Sequence, residues 1–125
     1  MPLPMTRVLL YVHDVASIKS FYLRYFDLRV VEEIDREWAV LDAGNIELAL
    51  HLAGPAFRRA AAPEPPHATH VKLVFSITSG IDAHRDRLAR DGVAVRELKR
   101  YDGFAYRMYD GLDPEGNVFQ VMQAD

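Results

Sequence analysis

The side chains of this chain that can do chemistry are imidazoles, carboxylates, amides and cations. Its 125 residues include five histidines and no cysteine. Without thiols there is no disulfide framework, no thiolate nucleophile and no Cys-ligated zinc. A metal would have to rest on His, carboxylate, amide or water. Three stretches gather such groups on one face by alternation. In Arg7–His13, the residues Arg7, Leu9, Tyr11 and His13 lie opposite Val8, Leu10 and Val12. In Ile46–Leu52, the residues Glu47, Ala49 and His51 lie opposite Ile46, Leu48 and Leu50. In His70–Phe75, the residues His70, Lys72 and Val74 lie opposite Val71, Leu73 and Phe75. Each stretch therefore presents one apolar face for packing and one face with ionisable groups. There is no Gly-rich phosphate loop, no nucleophile elbow and no Ser with a local His and acid.

The elements that must position these groups read as one pattern written twice. After the first strand, Asp14 is a good N-cap. Ile18, Phe21, Tyr22 and Tyr25 then recur at helical spacing to about residue 26. Strands are expected at 29–34 and 38–41, a tight turn at Asp42-Ala43-Gly44-Asn45, and a fourth strand at 46–52. Residues 54–69 carry four prolines and an alanine cluster and read as a linker. The pattern restarts with a strand at 70–75 and a helix carrying Ile81, His84, Leu88 and Ala89 on one side. That helix closes at Asp91-Gly92. Strands at 93–98, 105–109 and 118–123 follow, the last after the turn Asp113-Pro114-Glu115-Gly116-Asn117. Leu41-Asp42 with Gly44-Asn45 echoes Leu112-Asp113 with Gly116-Asn117. A repeat of this length implies two structural copies that complete each other's burial.

Size and charge bound the rest. One domain is expected from the length, organised as module one at about 6–53, the linker at 54–69 and module two at about 70–123. Half the residues are apolar, about a quarter are charged, and the net charge is −3 with His neutral. No basic footprint for nucleic acid is present, and no Lys/Arg tract for a membrane surface. The apolar run near the N-terminus is too short for a signal peptide, and no stretch approaches the roughly 20 apolar residues of a membrane span. A cytoplasmic protein is the expectation.

The segments VLLYVHDVASIKSFYLRYFDLRV, IELALH, THVKLVF and LDPEGNVFQVM resemble the vicinal oxygen chelate superfamily of glyoxalases, bleomycin-resistance proteins and extradiol dioxygenases. The resemblance covers nearly the whole chain. It implies an α+β fold of two βαβββ modules that form a cup for a small molecule. It does not choose a function, because the fold hosts isomerases, ring-cleaving dioxygenases, epoxide-opening transferases and drug-sequestering proteins. Metal-dependent members place ligands at the start of each module's first strand and the middle of its last. Carried over, these points fall on Arg7, Glu47, His70 and Gln120. Glu47 and His70 match common ligand types, and Gln120 stands where Glu is usual. Arg7 departs outright, since a guanidinium offers a metal no lone pair.

Two readings result. In one, Glu47, His70 and Gln120 hold a divalent ion such as Fe, Mn, Ni or Zn, and the protein is a glyoxalase-type lyase or an extradiol dioxygenase. In the other, Arg7 pairs with Glu47 across the neighbouring strands that the fold implies. That pair consumes the one anionic ligand, and the protein binds a small molecule without metal. The second reading is favoured, with no cofactor. The cup would then be lined by Arg7, Leu9, Tyr11, Glu47, His51, His70, Lys72, Gln120 and Met122. Lys72 would be left as the unbalanced charge, holding with His70 the carboxylate or phenolate of a flat or aliphatic ligand. His51 reads as a rim residue and His84 as a packing residue. Tyr101, Phe104, Tyr106 and Tyr109 divide between core and cup. No role follows for His67 or for the Arg58-Arg59 pair. A homodimer with cups completed by modules of one or both chains is the expected assembly.

Overall fold

The structure is a computed structural model and describes residues 1–55 and 70–125. Most of the proline-rich linker, with Arg58, Arg59 and His67, lies outside the described residues. The chain divides into two compact units, Met1–Ala62 and Pro63–Asp125, and each is described by itself.

The first unit runs β1 (Arg7–Val12), α1 (Val15–Phe26), β2 (Arg29–Ile34), β3 (Trp38–Asp42) and β4 (Glu47–Leu52). Its sheet has the order β1-β4-β3-β2. β1 lies parallel to β4, and the other pairs are antiparallel. Asp14 caps α1 by accepting from the Ser17 amide at 3.1 Å, which satisfies one of the orphan donors of the first turn. Val15, Ile18, Phe21, Tyr22 and Tyr25 form the buried stripe of α1. Val12, Leu41, Leu48 and Leu50 are buried with them on the helix side of the sheet.

The second unit runs β5 (Lys72–Ser76), α2 (Ile81–Arg90), β6 (Tyr106–Leu112) and β7 (Val118–Ala124), with sheet order β5-β7-β6. α2 buries Ile81 and Leu88. Its first amide, that of Ile81, donates to Oε1 of Gln123 at 3.0 Å, so a β7 side chain does the capping. The turn before β7 is built around Asp113, which is 4% exposed. Its Oδ1 accepts from the amides of Glu115 and Asn117 at 2.9 and 3.0 Å, and its Oδ2 from the Asn117 side chain at 2.9 Å. In the first unit Asp42 makes the same i to i+2 contact, accepting from the Gly44 amide at 2.9 Å. The echo between the two turns is therefore chemical as well as sequential.

Two elements of module two differ from the sequence reading in a way that bears on the faces below. The third strand of module two extends to Leu112 rather than stopping at Tyr109. The strand expected at 93–98 is reduced to two isolated bridges, Val95 with Gly111 and Lys99 with Met108. Four steps on one chain face three on the other, so one residue is extra and the ladder is broken there, as in a β-bulge. Module one has the matching irregularity. There Val30 pairs with Leu41 and Glu32 with Val40, which leaves Val31 extra. The fold is α+β, two βαβββ modules, and each bears a one-residue excess in its second strand.

On the helix side of the second sheet, Tyr109 is 1% exposed and shares a 2.6 Å hydrogen bond with Nδ1 of His84. His84 thus packs as expected and also meets the polar end of a buried phenol. Burial pushes the Tyr109 phenol well above its usual range, against a smaller opposing pull from the Arg85 charge. The folded state therefore holds the phenol proton more tightly than the unfolded chain does. This contribution is intact below an ordinary phenol pKa, about 10, and drains as the pH climbs past it. Urea titrations should show the wild type losing stability above about pH 10 more steeply than Tyr109→Phe. Equal slopes would show that Tyr109 does not carry the effect.

Candidate functional site

In each unit, the sheet face turned away from the helix gathers the groups that sequence alternation had singled out. In module one the register sets them in three rungs. Arg7, Glu47 and Asp42 form the first, Leu9, Ala49 and Val40 the second, and Tyr11, His51 and Trp38 the third. Arg7 donates to Oε1 of Glu47 from Nε at 3.1 Å and from Nη2 at 2.8 Å. Its guanidinium carbon also lies 5.6 Å from the centroid of the Trp38 ring, within cation–π range. The Trp38 indole donates to Glu32 at 2.7 Å, which fixes the ring. His51 sits between two aromatic neighbours, 5.5 Å from the Tyr11 ring and 5.6 Å from Trp38. Tyr11 is 69% exposed. The third rung is thus an open row of three flat rings beside a paired charge.

Module two has the same layout with different contents. Its rungs are Lys72, Val118 and Leu112; then Val74, Gln120 and Asp110; then Ser76, Met122 and Met108. Lys72 Nζ donates to Oδ2 of Asp110 at 2.7 Å. The Gln120 amide donates to Oδ1 of Asp110 at 2.9 Å and approaches the Met108 sulfur at 3.3 Å. Asp110 therefore ties the site together. Two cavities share Lys72, Arg96 and Asp110. The first, of about 430 Å³, adds His70 and the apolar walls Val95, Leu112 and Val118. The second, of about 270 Å³, adds Lys99, Tyr101 and Gln120.

Several expectations need correcting. β5 begins at Lys72, so His70 is not a strand residue; it sits at an exposed bend. The residue opposite Gln120 is Val74, four positions further on, about 13 Å along an extended chain. His70 lines the first cavity and Gln120 the second, and neither cavity holds both. Lys72 is not an unbalanced charge, because Asp110 neutralises it. Glu47 is not the one carboxylate of these faces, since Asp42 and Asp110 join it. The remaining expected residues, Leu9, Tyr11, His51 and Met122, occupy the expected faces. Trp38, Asp110, Arg96 and Lys99 were missed. Continuing the alternation from Met108 through Leu112 would have found Asp110. Among the described residues no three His, Asp or Glu side chains come together.

A family model for the Glyoxalase/Bleomycin resistance protein/Dioxygenase superfamily matches residues 5–121. The chain belongs to that superfamily. Solved structures of the superfamily fold superpose on nearly all of it. A lactoylglutathione lyase from Agrobacterium tumefaciens matches with a TM-score of 0.71 at 21% identity, over 98% of this chain and 95% of that one. A genomically encoded fosfomycin resistance protein from Listeria monocytogenes matches at 0.72 and 13%, over 100% and 94%. An antibiotic-binding protein from Streptomyces matches at 0.72 and 22%, over 99% and 98%. No curated protein matches the chain in sequence. A lyase, a resistance protein and a binding protein thus share this backbone, so the superfamily fold alone does not choose among them. No helix among the described residues is long and apolar enough to cross a membrane.

Proposed function

We propose that this superfamily member is a small-molecule-binding protein that works without a complete metal site. Its ligand is a small aromatic or anionic compound. The observation that carries this reading is the two-bonded Arg7–Glu47 pair at 2.8 and 3.1 Å. A cation already occupies the carboxylate that a metal would need most. Of the other two points, His70 stands outside the strand, and Gln120, whose amide nitrogen donates to Asp110, offers a metal only a neutral oxygen. A resident metal would supply Lewis-acid chemistry to vicinal oxygens, but a site needs the right ligand count first. In its place the faces offer the Tyr11–His51–Trp38 row for stacking and cavities with apolar walls and a few convergent polar groups. That is the usual form of a small-molecule site. The working form we infer is a cytoplasmic homodimer.

Elemental analysis of protein purified without a chelator or a His-tag tests the metal-free reading. Far less than one transition metal per chain is expected. A stoichiometric metal that is lost in Glu47→Ala and His70→Ala would overturn it in favour of the metal-dependent lyase or dioxygenase. Light scattering at micromolar concentration should give the mass of two chains, and a monomer mass would remove the dimer.

A further inference from the structure

The one-residue excess in the second strand of module two has a consequence for charge. Val95 pairs with Gly111, and the Arg96 amide donates to the Asp110 carbonyl at 2.8 Å. Arg96 therefore joins the rung of Gln120 and Asp110, on the face away from the helix. In an unbroken ladder Leu98 would come opposite Met108 on that same face. The extra residue places Lys99 there instead. Its amide and carbonyl both bond Met108, at 2.8 and 2.9 Å. Two cations three residues apart, which simple alternation would send to opposite faces, end up on one.

Both side chains line the second cavity with Lys72 and Tyr101. The anions nearby are already committed. Asp110 takes Lys72 at 2.7 Å, and Glu97 takes Arg85 at 3.3 Å. Neither Arg96 nor Lys99 has an ion-pair partner among the described residues. From this we infer that Arg96 and Lys99 form an oxyanion subsite, which receives the sulfonate-, phosphonate- or carboxylate-type group of the ligand. The ligand's apolar body extends into the adjoining cavity against Leu112 and Val118. The planar fork of Arg96 suits two oxygens at once, and Lys99 supplies a point charge to a third. Lys72 and His70 are not the anion holders. The inference rests on the ligand-binding reading above and sharpens it.

Three probes separate the two ideas: benzenesulfonate, its neutral isostere benzenesulfonamide, and inorganic sulfate. Binding is followed by amide chemical shifts and by thermal shift. Benzenesulfonate is expected to bind at least about tenfold more tightly than the sulfonamide, the scale of one charge-assisted hydrogen bond, and to move the amides of residues 94–101 and 108–112. Arg96→Gln and Lys99→Gln should each cost the sulfonate about tenfold and leave the sulfonamide unchanged. Sulfate should show the same dependence on both residues. If the sulfonamide binds as well as the sulfonate, or the variants leave sulfonate affinity intact, the subsite is wrong while the ligand-binding reading stands. If sulfate binds through Arg96 and Lys99 but neither aromatic improves on it, the subsite stands and the aromatic ligand is wrong. Binding by none of the three overturns both.

Discussion

Replacing Arg7 by histidine should raise the affinity of this protein for zinc by about a hundredfold or more. Arg7 and Glu47 are register partners on adjacent parallel strands, roughly 4.8 Å apart. An imidazole at position 7 would meet the Glu47 carboxylate as a second ligand. The same substitution removes a fixed cation from beside the ion. One unit charge at about 4 Å contributes about 4 kcal/mol at an effective dielectric near 20. A divalent ion doubles this. The two side chains are 39% and 40% exposed, so solvent screens most of it. Even about 2.7 kcal/mol is a hundredfold. Calorimetric zinc titrations should find only weak binding in the wild type and a saturable site in Arg7→His that Glu47→Ala removes. Arg7→Gln, which removes the charge without adding a ligand, should fall between. If Arg7→His binds zinc no better than the wild type, the guanidinium is not what keeps the metal out.

Gly111→Ala should destabilise module two by about 3 kcal/mol, the upper end of overpacking costs. A Cβ on Gly111 would lie 2.2 Å from Cζ of Phe119 and 2.8 Å from two more atoms of that ring. Phe119 is fully buried and stands directly opposite Gly111 in the β6–β7 ladder. Its ring lies over the glycine, edge-on to Tyr109 with centroids 6.2 Å apart. No rotation of an alanine methyl relieves such an overlap, so the ring or the strand must move. For a chain of this length the melting temperature should fall by roughly 10 °C, read by circular dichroism. The cost should shrink in a Phe119→Leu background, because the two positions share one space. A Gly111→Ala protein that melts within a degree of the wild type would show that the ring is not held there.

Elements with strong periodicity were legible from residue types alone. α1 announced itself through Asp14 and a buried stripe at helical spacing, and the turns through Asp42 and Asp113. The alternation in β1 and β4 named the right face for Arg7, Leu9, Tyr11, Glu47 and His51. The Arg7–Glu47 contact was anticipated because both the face and the strand adjacency were in hand. Module two was harder to read because alternation assumes an unbroken ladder. One extra residue between Val95 and Lys99 reverses the parity, and nothing in Arg96-Glu97-Leu98-Lys99 marks where that happens. Asp110 escaped because the strand was ended at Tyr109, short of the glycine that lets Phe119 pack. The strand was begun at His70, two residues too early. The pattern His70-Val71-Lys72-Leu73 alternates whether pairing starts at its first or its third residue.

The excess residue in each second strand makes register a determinant of what these faces present. Between Val95 and Lys99 four steps face the three from Gly111 to Met108. If the same residues paired without the excess, Leu98 would stand opposite Met108 and Lys99 would turn to the other side. A charged wall would become an aliphatic one without a single substitution. Deleting Glu97 or Leu98 would instead leave three steps facing three and keep Lys99 opposite Met108. In module one the extra residue is Val31. A one-residue gap in such a strand is therefore silent at this rung, whereas a bulge lost at constant length is not.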